Sequence, residues 1–315
     1  MMRIVIAAVI GLCLVCGAAV APADLVQTID AHFAPVNSLD ITPDGTVAFT
    51  AGQDGHLKLW DTSNWELTLD VPACQAPIND VAVSPDGTFV VTAGNDGYAK
   101  VWDALTAELI VAIPAHKGAA TCVAISADSL VIYTGGDDGY VRSWGVDNDY
   151  KMDFEAFAHY NGVNDLVINK AGDYLFTGGV DGYIKVYYTA DMTLESTIKA
   201  FERSEVLCLA LNNLEACLLA GSNNGEMRIW DASTGSLIKT VRAHAGNVNT
   251  IHVIADDKLV VSGGEDGKLK LWNRDGQLAG ELQAHVLGVR DFLMTGDTLV
   301  TGGSDYKVRV WKANF

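Results

Sequence analysis

The segment Asp54-Gly55-His56-Leu57-Lys58-Leu59-Trp60 has six near copies further along the chain, ending at Trp102, Trp144, Tyr187, Trp230, Trp272 and Trp311. Successive ends are 42, 42, 43, 43, 42 and 39 residues apart. A period near 42 sustained over the whole length makes each copy one supersecondary unit of a closed or stacked array, and leaves no reason to divide the chain into two domains.

Inside a copy the pattern is β throughout. Short apolar runs such as Phe89-Val90-Val91-Thr92 and Leu259-Val260-Val261-Ser262 are broken by turn residues, which fits four short strands per unit. Pro43-Asp44-Gly45 and Pro85-Asp86-Gly87 close one hairpin, and Asp-Gly at 54, 96, 138, 181 and 266 closes the next. Gly is required there because a tight hairpin needs a positive φ. Helix start and stop signals are absent.

These residues resemble the WD-repeat (WD40-type) β-propeller family, whose units open on a Gly-His-like pair and end on a Trp-Asp-like pair, and the resemblance spans residues 25 to 312. It implies an all-β fold: a single seven-bladed β-propeller of four-stranded antiparallel blades. It also implies that a His, a Ser or Thr, an Asp and a Trp form a buried hydrogen-bonded chain in each blade. His32, Thr50, Asp54 and Trp60 fill those places, as do His116, Thr134, Asp138 and Trp144; His244, Ser262, Asp266 and Trp272; and His285, Thr301, Asp305 and Trp311. Three units depart from this. Cys74 stands for the His in the second, Tyr187 for the Trp in the fourth, and the fifth carries Glu202, Ala220 and Asn224 beside an intact Trp230. A net hydrogen bond is worth about 1 kcal/mol, so losing one such chain loosens a blade without opening the ring, and the fifth blade is the expected soft spot.

The two ends predict how the ring closes. Leu25, Ile29 and His32 repeat the spacing that precedes other units, as in Leu237 to His244, whereas no such strand follows Trp311. The N-terminal segment is therefore expected to be the outer strand of the last blade, which removes an exposed sheet edge.

Residues 1–23 differ from the rest. Arg3 is their one charge, Ile4 to Val15 is apolar, and small residues lead to Ala21, Pro22 and Ala23, the layout of a signal peptide cleaved before Asp24. Residues 24–315 would then form the propeller, exported to a periplasmic or extracellular location with no stable membrane insertion. The alternative is an uncleaved membrane anchor, since Ile4 to Ala23 is long enough to span a bilayer. A third reading is an ordinary cytosolic scaffold that keeps this segment. No Asn-x-Ser/Thr sequon occurs, a weak pointer to bacterial export.

Acidic residues outnumber basic ones 39 to 21, for a formal charge of −18, and such a surface repels phosphate backbones, so nucleic acid is not an expected partner. Cys74, Cys122, Cys208 and Cys217 lack the paired spacing of a zinc site or disulfide framework. Most histidines belong to the repeat, leaving His56 in a turn and His252 in a strand, with no His-Asp or His-Cys cluster beyond it. Lys58, Lys100, Arg142, Lys185, Arg228, Lys270 and Arg309 all stand two residues before the Trp position and belong to the repeat as well. No nucleophile elbow, phosphate loop or dinucleotide fingerprint is present. No catalytic residue, metal or cofactor is expected.

Function is then expected on a surface, and the resemblance points to the channel-mouth face. Five residues past each His position stand Asn37, Asn79, Thr121, Asn164, Leu207, Asn249 and Arg290. Four amides offer donors and acceptors suited to peptide backbone or sugar hydroxyls, or else they satisfy neighbouring loops. Tyr98, Tyr140 and Tyr183 follow the Asp-Gly turn in three consecutive units, with Tyr160 on an adjacent loop. Tyr is favoured at binding hot spots, and packing between blades is the rival role. These residues predict a non-enzymatic module that binds a protein or peptide. The alternative is a propeller enzyme or sugar binder, which three or more acidic or His side chains meeting at the channel mouth would favour.

Overall fold

The computed structural model describes residues 23–212, 214, 216–254, 258–273 and 275–313. They form seven four-stranded antiparallel sheets. The first blade is built from Val36–Ile41, Val47–Gly52, His56–Asp61 and Glu66–Pro72, running from the channel outwards, and the next five repeat that order. In the seventh, the strands Val289–Thr295, Thr298–Gly303 and Lys307–Lys312 are completed by Asp24–Asp30, which pairs antiparallel with Lys307–Lys312. The ring is closed by its N-terminal strand. The proposed signal segment lies outside the described residues except for Ala23, which packs in the apolar cluster that holds Leu299 and Trp311. Among the described residues no helix is long and apolar enough to cross a membrane.

The apolar runs are continuous because the middle strands are covered on both faces. Every residue of Phe89–Gly94 is buried, whereas the outer strand Glu66–Pro72 is exposed along nearly its whole length. The clusters lie between blades: Phe49, Leu57 and Leu59 of the first pack with Ile78, Val90 and Trp102 of the second. Full burial of one such aliphatic side chain contributes roughly 1.5–3 kcal/mol, more than a typical hydrogen bond, so interblade packing holds the ring.

Hydrogen bonds then fix each blade internally. In the first, His32 Nδ1 donates to the Asp54 carboxylate at 2.9 Å, the Thr50 hydroxyl donates to His32 Nε2 at 2.8 Å, and Trp60 Nε1 donates to Thr50 Oγ1 at 3.0 Å. The third, sixth and seventh blades repeat all three links. Burial opposes the charge on Asp54, yet the His32 bond and the amides of Phe33 and His56 pull its carboxyl down to about 2. The glycine beside each ring makes room for it: a Cβ on Gly136 would lie 2.4 Å from His116 Cγ.

The fifth blade corrects the sequence reading. The amides of Ala200 and Phe201 both bond the Gly182 carbonyl at 3.0 Å, as those of Ala243 and His244 bond Gly225, so Phe201 and not Glu202 holds the His place. Glu202 is exposed and pairs with Lys199 at 2.7 Å. Phe201 is buried edge-on to Trp230, with ring centroids 6.3 Å apart, beneath the Arg228 guanidinium. Apolar packing replaces the polar chain there, and Ser222 takes the place of the tight glycine.

Candidate functional site

The inner strands surround a channel whose mouth opens into a cavity of about 680 Å³. Every ring position named from the sequence lines it: Asn37, Asn79, Thr121, Asn164, Leu207, Asn249 and Arg290. The amides, however, spend their donors on the protein. Asn37 donates to the Ile78 carbonyl (2.7 Å), Asn79 to Ala120 (2.8 Å), Asn164 to Val206 (2.8 Å) and Asn249 to Val289 (2.6 Å). Thr121 makes the same bond to Val163 at 2.5 Å. Each acceptor belongs to the next blade, so these side chains tie neighbours together at the mouth. Arg290 departs from the pattern, because its Nε donates within its own blade to Ser304 Oγ at 2.7 Å.

A second set of residues, unforeseen from the sequence, lies along the same strands. Asp80, Asp165 and Asp291 line the cavity together with His252. Each carboxylate binds the amide that follows it in its own strand and an amide of another blade. Asp80 accepts from Val81 (2.9 Å) and Val123 (2.9 Å), Asp165 from Leu166 (2.7 Å) and Leu209 (2.6 Å), and Asp291 from Phe292 (2.8 Å) and Leu39 (3.0 Å). Asp40 does the same with Ile41 (2.8 Å) and Val83 (2.7 Å). Ser38 Oγ donates to Asp80 at 2.8 Å.

Loss of hydration dominates their electrostatics. It outweighs the backbone bonds, and repulsion from neighbouring carboxylates adds to it, so Asp40 is raised to about 7, Asp80 to about 6 and Asp165 to about 8. His252 Nε2 stands 3.6 Å from Asp291 Oδ1, its ring tilted against Phe292. Where the sequence predicts no His-Asp cluster beyond the repeat, the structure brings His252 and Asp291 together as a pair. Asp80, Asp165, Asp291 and His252 also meet the condition for the enzyme or sugar-binder alternative, three or more acidic or His side chains at the channel mouth. Among the described residues no group of three His, Cys, Asp or Glu is arranged to hold a metal ion. The carboxylate pattern was available in the sequence as Asn79-Asp80, Asn164-Asp165 and Arg290-Asp291, the same step taken in three units.

The tyrosines differ among themselves. Tyr98 and Tyr160 are exposed, Tyr160 at 70%, while Tyr140 and Tyr183 are half-buried. Phe157 stands between Tyr140 and Tyr160 in edge contacts at 5.4 and 5.1 Å, a link between blades three and four, and Arg142 stacks on Tyr140. The repeat cations are held as expected. Lys100 pairs with Asp96 at 2.7 Å, Arg142 with Asp138 at 2.9 Å and Arg309 with Asp305 at 2.9 Å.

Comparison with known proteins agrees with this geometry. The model of the WD domain, G-beta repeat, matches seven times, at residues 23–61, 65–103, 107–145, 153–187, 192–231, 235–273 and 276–312. Protein ROOT INITIATION DEFECTIVE 3 of Arabidopsis thaliana is 28% identical over 88 residues, which cover 28% of this chain and 20% of that protein. The serine-threonine kinase receptor-associated protein of Gallus gallus is 35% identical over 81 residues, 25% of this chain and 23% of that one. The chain thus spans under a quarter of either relative's length. With seven repeats matched and seven blades formed, the chain belongs to the WD40 family of WD-repeat β-propellers.

Proposed function

We propose that this protein is an exported, non-enzymatic scaffold that holds a protein or peptide partner on its channel-mouth face. WD-repeat propellers are typically protein-interaction scaffolds, which supports the coarser part of the reading. The observation that carries the finer part is how the polar lining is used. Carboxylates and amides at the mouth bond other blades, while Tyr98, at the start of a third strand, and Tyr160, in the loop after His159, are exposed as contact surface. Large aromatic side chains with a polar tip are the residues that anchor interfaces. Export rests on the layout of residues 1–23.

The test is affinity capture from envelope and secreted fractions, comparing wild type with a Tyr98→Ala/Tyr140→Ala/Tyr160→Ala variant of unchanged melting temperature, with N-terminal sequencing of the recovered bait. A partner lost by the variant, on bait that begins near Asp24, is the expected result. Equal recovery by both proteins contradicts the face, and an intact Met1 on soluble bait contradicts export.

The second reading, a channel that binds or transforms a small ligand, is favoured by His252 beside Asp291. Screening sugars and small amines by thermal shift, with His252→Gln as the control, separates it: a shift abolished by that variant supports this reading over the scaffold.

A further inference from the structure

Where the chain closes on itself, the channel-mouth face changes character. The residue after the His place is Phe33 in the first blade, Tyr160 in the fourth and Val286 in the seventh, against Gln75, Lys117, Glu202 and Ala245 in the others, so only at the seam do two adjacent blades both carry a large apolar side chain there. Phe33 is 85% exposed, Val286 82%, and Leu287 beside it 52%. Their loops are tied to the same turn, Asp305-Tyr306, across the seam. The Val286 amide bonds the Asp305 carboxylate, and the His32 amide bonds the Tyr306 carbonyl at 3.2 Å.

Tyr306 itself is out of place. Six blades have glycine at this turn position, where a Cβ would strike the carbonyl of the adjoining loop, at 2.1 Å for Gly55 and 2.6 Å for Gly97. The seventh has a tyrosine at φ +70°, a left-handed conformation that a bulky L side chain adopts only at a cost. Trp65, Met192 and Tyr150 share that conformation, but the first two are buried and Tyr150 packs against the cluster of Phe89 and Trp144, which offsets it. Tyr306 is 46% exposed, so its burial does much less to offset the strain. Backbone strain left standing at a surface is a pointer to function.

Beside this patch lies Arg290, the one charged side chain among the seven ring positions, hydrogen-bonded to Ser304 two residues before Tyr306. Among the described residues it enters no ion pair, in a protein of formal charge −18.

We propose that this seam anchors a peptide carrying an apolar side chain next to a carboxylate. The apolar group seats among Phe33, Val286, Leu287 and Tyr306, and the carboxylate pairs with Arg290. The inference rests on the scaffold reading above and narrows it to one sector and one partner chemistry.

The probe is an array of ten-residue peptides in which a central Leu-Phe or Ser-Ser pair is followed by Glu or by Lys, overlaid with the full-length protein. Wild type is expected on Leu-Phe-Glu peptides at least about tenfold above the other three sets. Tyr306→Gly restores the residue of the other blades, so it should melt no lower than wild type and still lose that retention, as should Phe33→Ala. Arg290→Gln should bind Glu and Lys peptides alike. Retention that survives Tyr306→Gly and Phe33→Ala but is lost in the Tyr98/Tyr140/Tyr160 variant overturns the seam and leaves the scaffold reading standing. A preference for Lys peptides in wild type overturns the partner chemistry. Retention indifferent to every variant contradicts both the seam and the channel-mouth face, and no retention on any peptide set overturns the partner chemistry while leaving the scaffold reading to the capture experiment.

Discussion

The Asn79 side chain reaches out of the second blade and donates to the backbone carbonyl of Ala120 in the third, at 2.8 Å. Asn37, Asn164 and Asn249 make the same step, so a row of amides that looks designed for a ligand is a row of staples between blades.

Asn79→Ala should therefore cost stability, about 1–3 kcal/mol, because the Ala120 carbonyl is left without its donor. Tyr98→Ala, at an exposed position, should change stability by less than about 0.5 kcal/mol. Urea unfolding of the two single variants measures both, and equal costs would count against the staple.

Gly136→Ala places a Cβ 2.4 Å from the His116 ring, and the strand cannot retreat without breaking its pairing. A loss of about 1–3 kcal/mol is expected, as for other overpacked sites. The fifth blade carries a Cβ at the matching position, Ser222, where no imidazole lies over it. Adding Gly136→Ala to a His116→Ala protein should therefore cost much less than adding it to wild type, and equal losses in the two backgrounds would show that the His ring does not set the requirement.

Phe201→Ala should be the more damaging change in the fifth blade. It empties a buried site against Trp230, for which about 3–5 kcal/mol is expected, whereas Glu202→Ala removes an exposed, solvent-screened ion pair and should change stability little. Thermal unfolding distinguishes them, and a larger loss at Glu202 would restore the original sequence assignment.

Stability should peak under mildly acidic conditions. Asp40, Asp80 and Asp165 have folded-state values raised from 3.8 to about 7, 6 and 8, so the native state holds their protons more tightly than the unfolded chain. Their contribution is full below about pH 4 and is lost as pH rises towards about 8. Two effects oppose this on the acid side. His116 and His244, lowered by burial, cost stability as pH falls through about 6.5, and Asp54 and Asp138, held near 2, cost stability below about pH 4. A melting maximum between about pH 5 and 6 is expected, with a shallower alkaline fall in Asp165→Asn. A melting temperature that climbs steadily to pH 8 would contradict the raised values.

Why the sequence was so legible in some respects and not others follows from what repeats. Asp54, Trp60 and their copies recur at a fixed step, so blade number, strand count and closure through Leu25 and Ile29 could be read directly. Phe201 was missed because it does not look like a histidine, although Ala200 before it keeps the register. Asp80, Asp165 and Asp291 were missed because their role lies between blades, and a unit read alone does not show what its neighbour donates. Phe33 and Tyr306 were missed for a related reason: 273 residues separate them in sequence, and only ring closure makes them neighbours.

A partner held on the channel-mouth face should be within reach of side chains there and out of reach of the outer rim. A photocrosslinking residue placed at Phe33 or Tyr160, and at Ile238 on the exposed rim strand Leu237–Arg242, tests it most directly in native cells. A discrete adduct of one mass from the two mouth positions, and none from Ile238, is the predicted result. Adducts from Ile238 alone, or none from either mouth position, would contradict it.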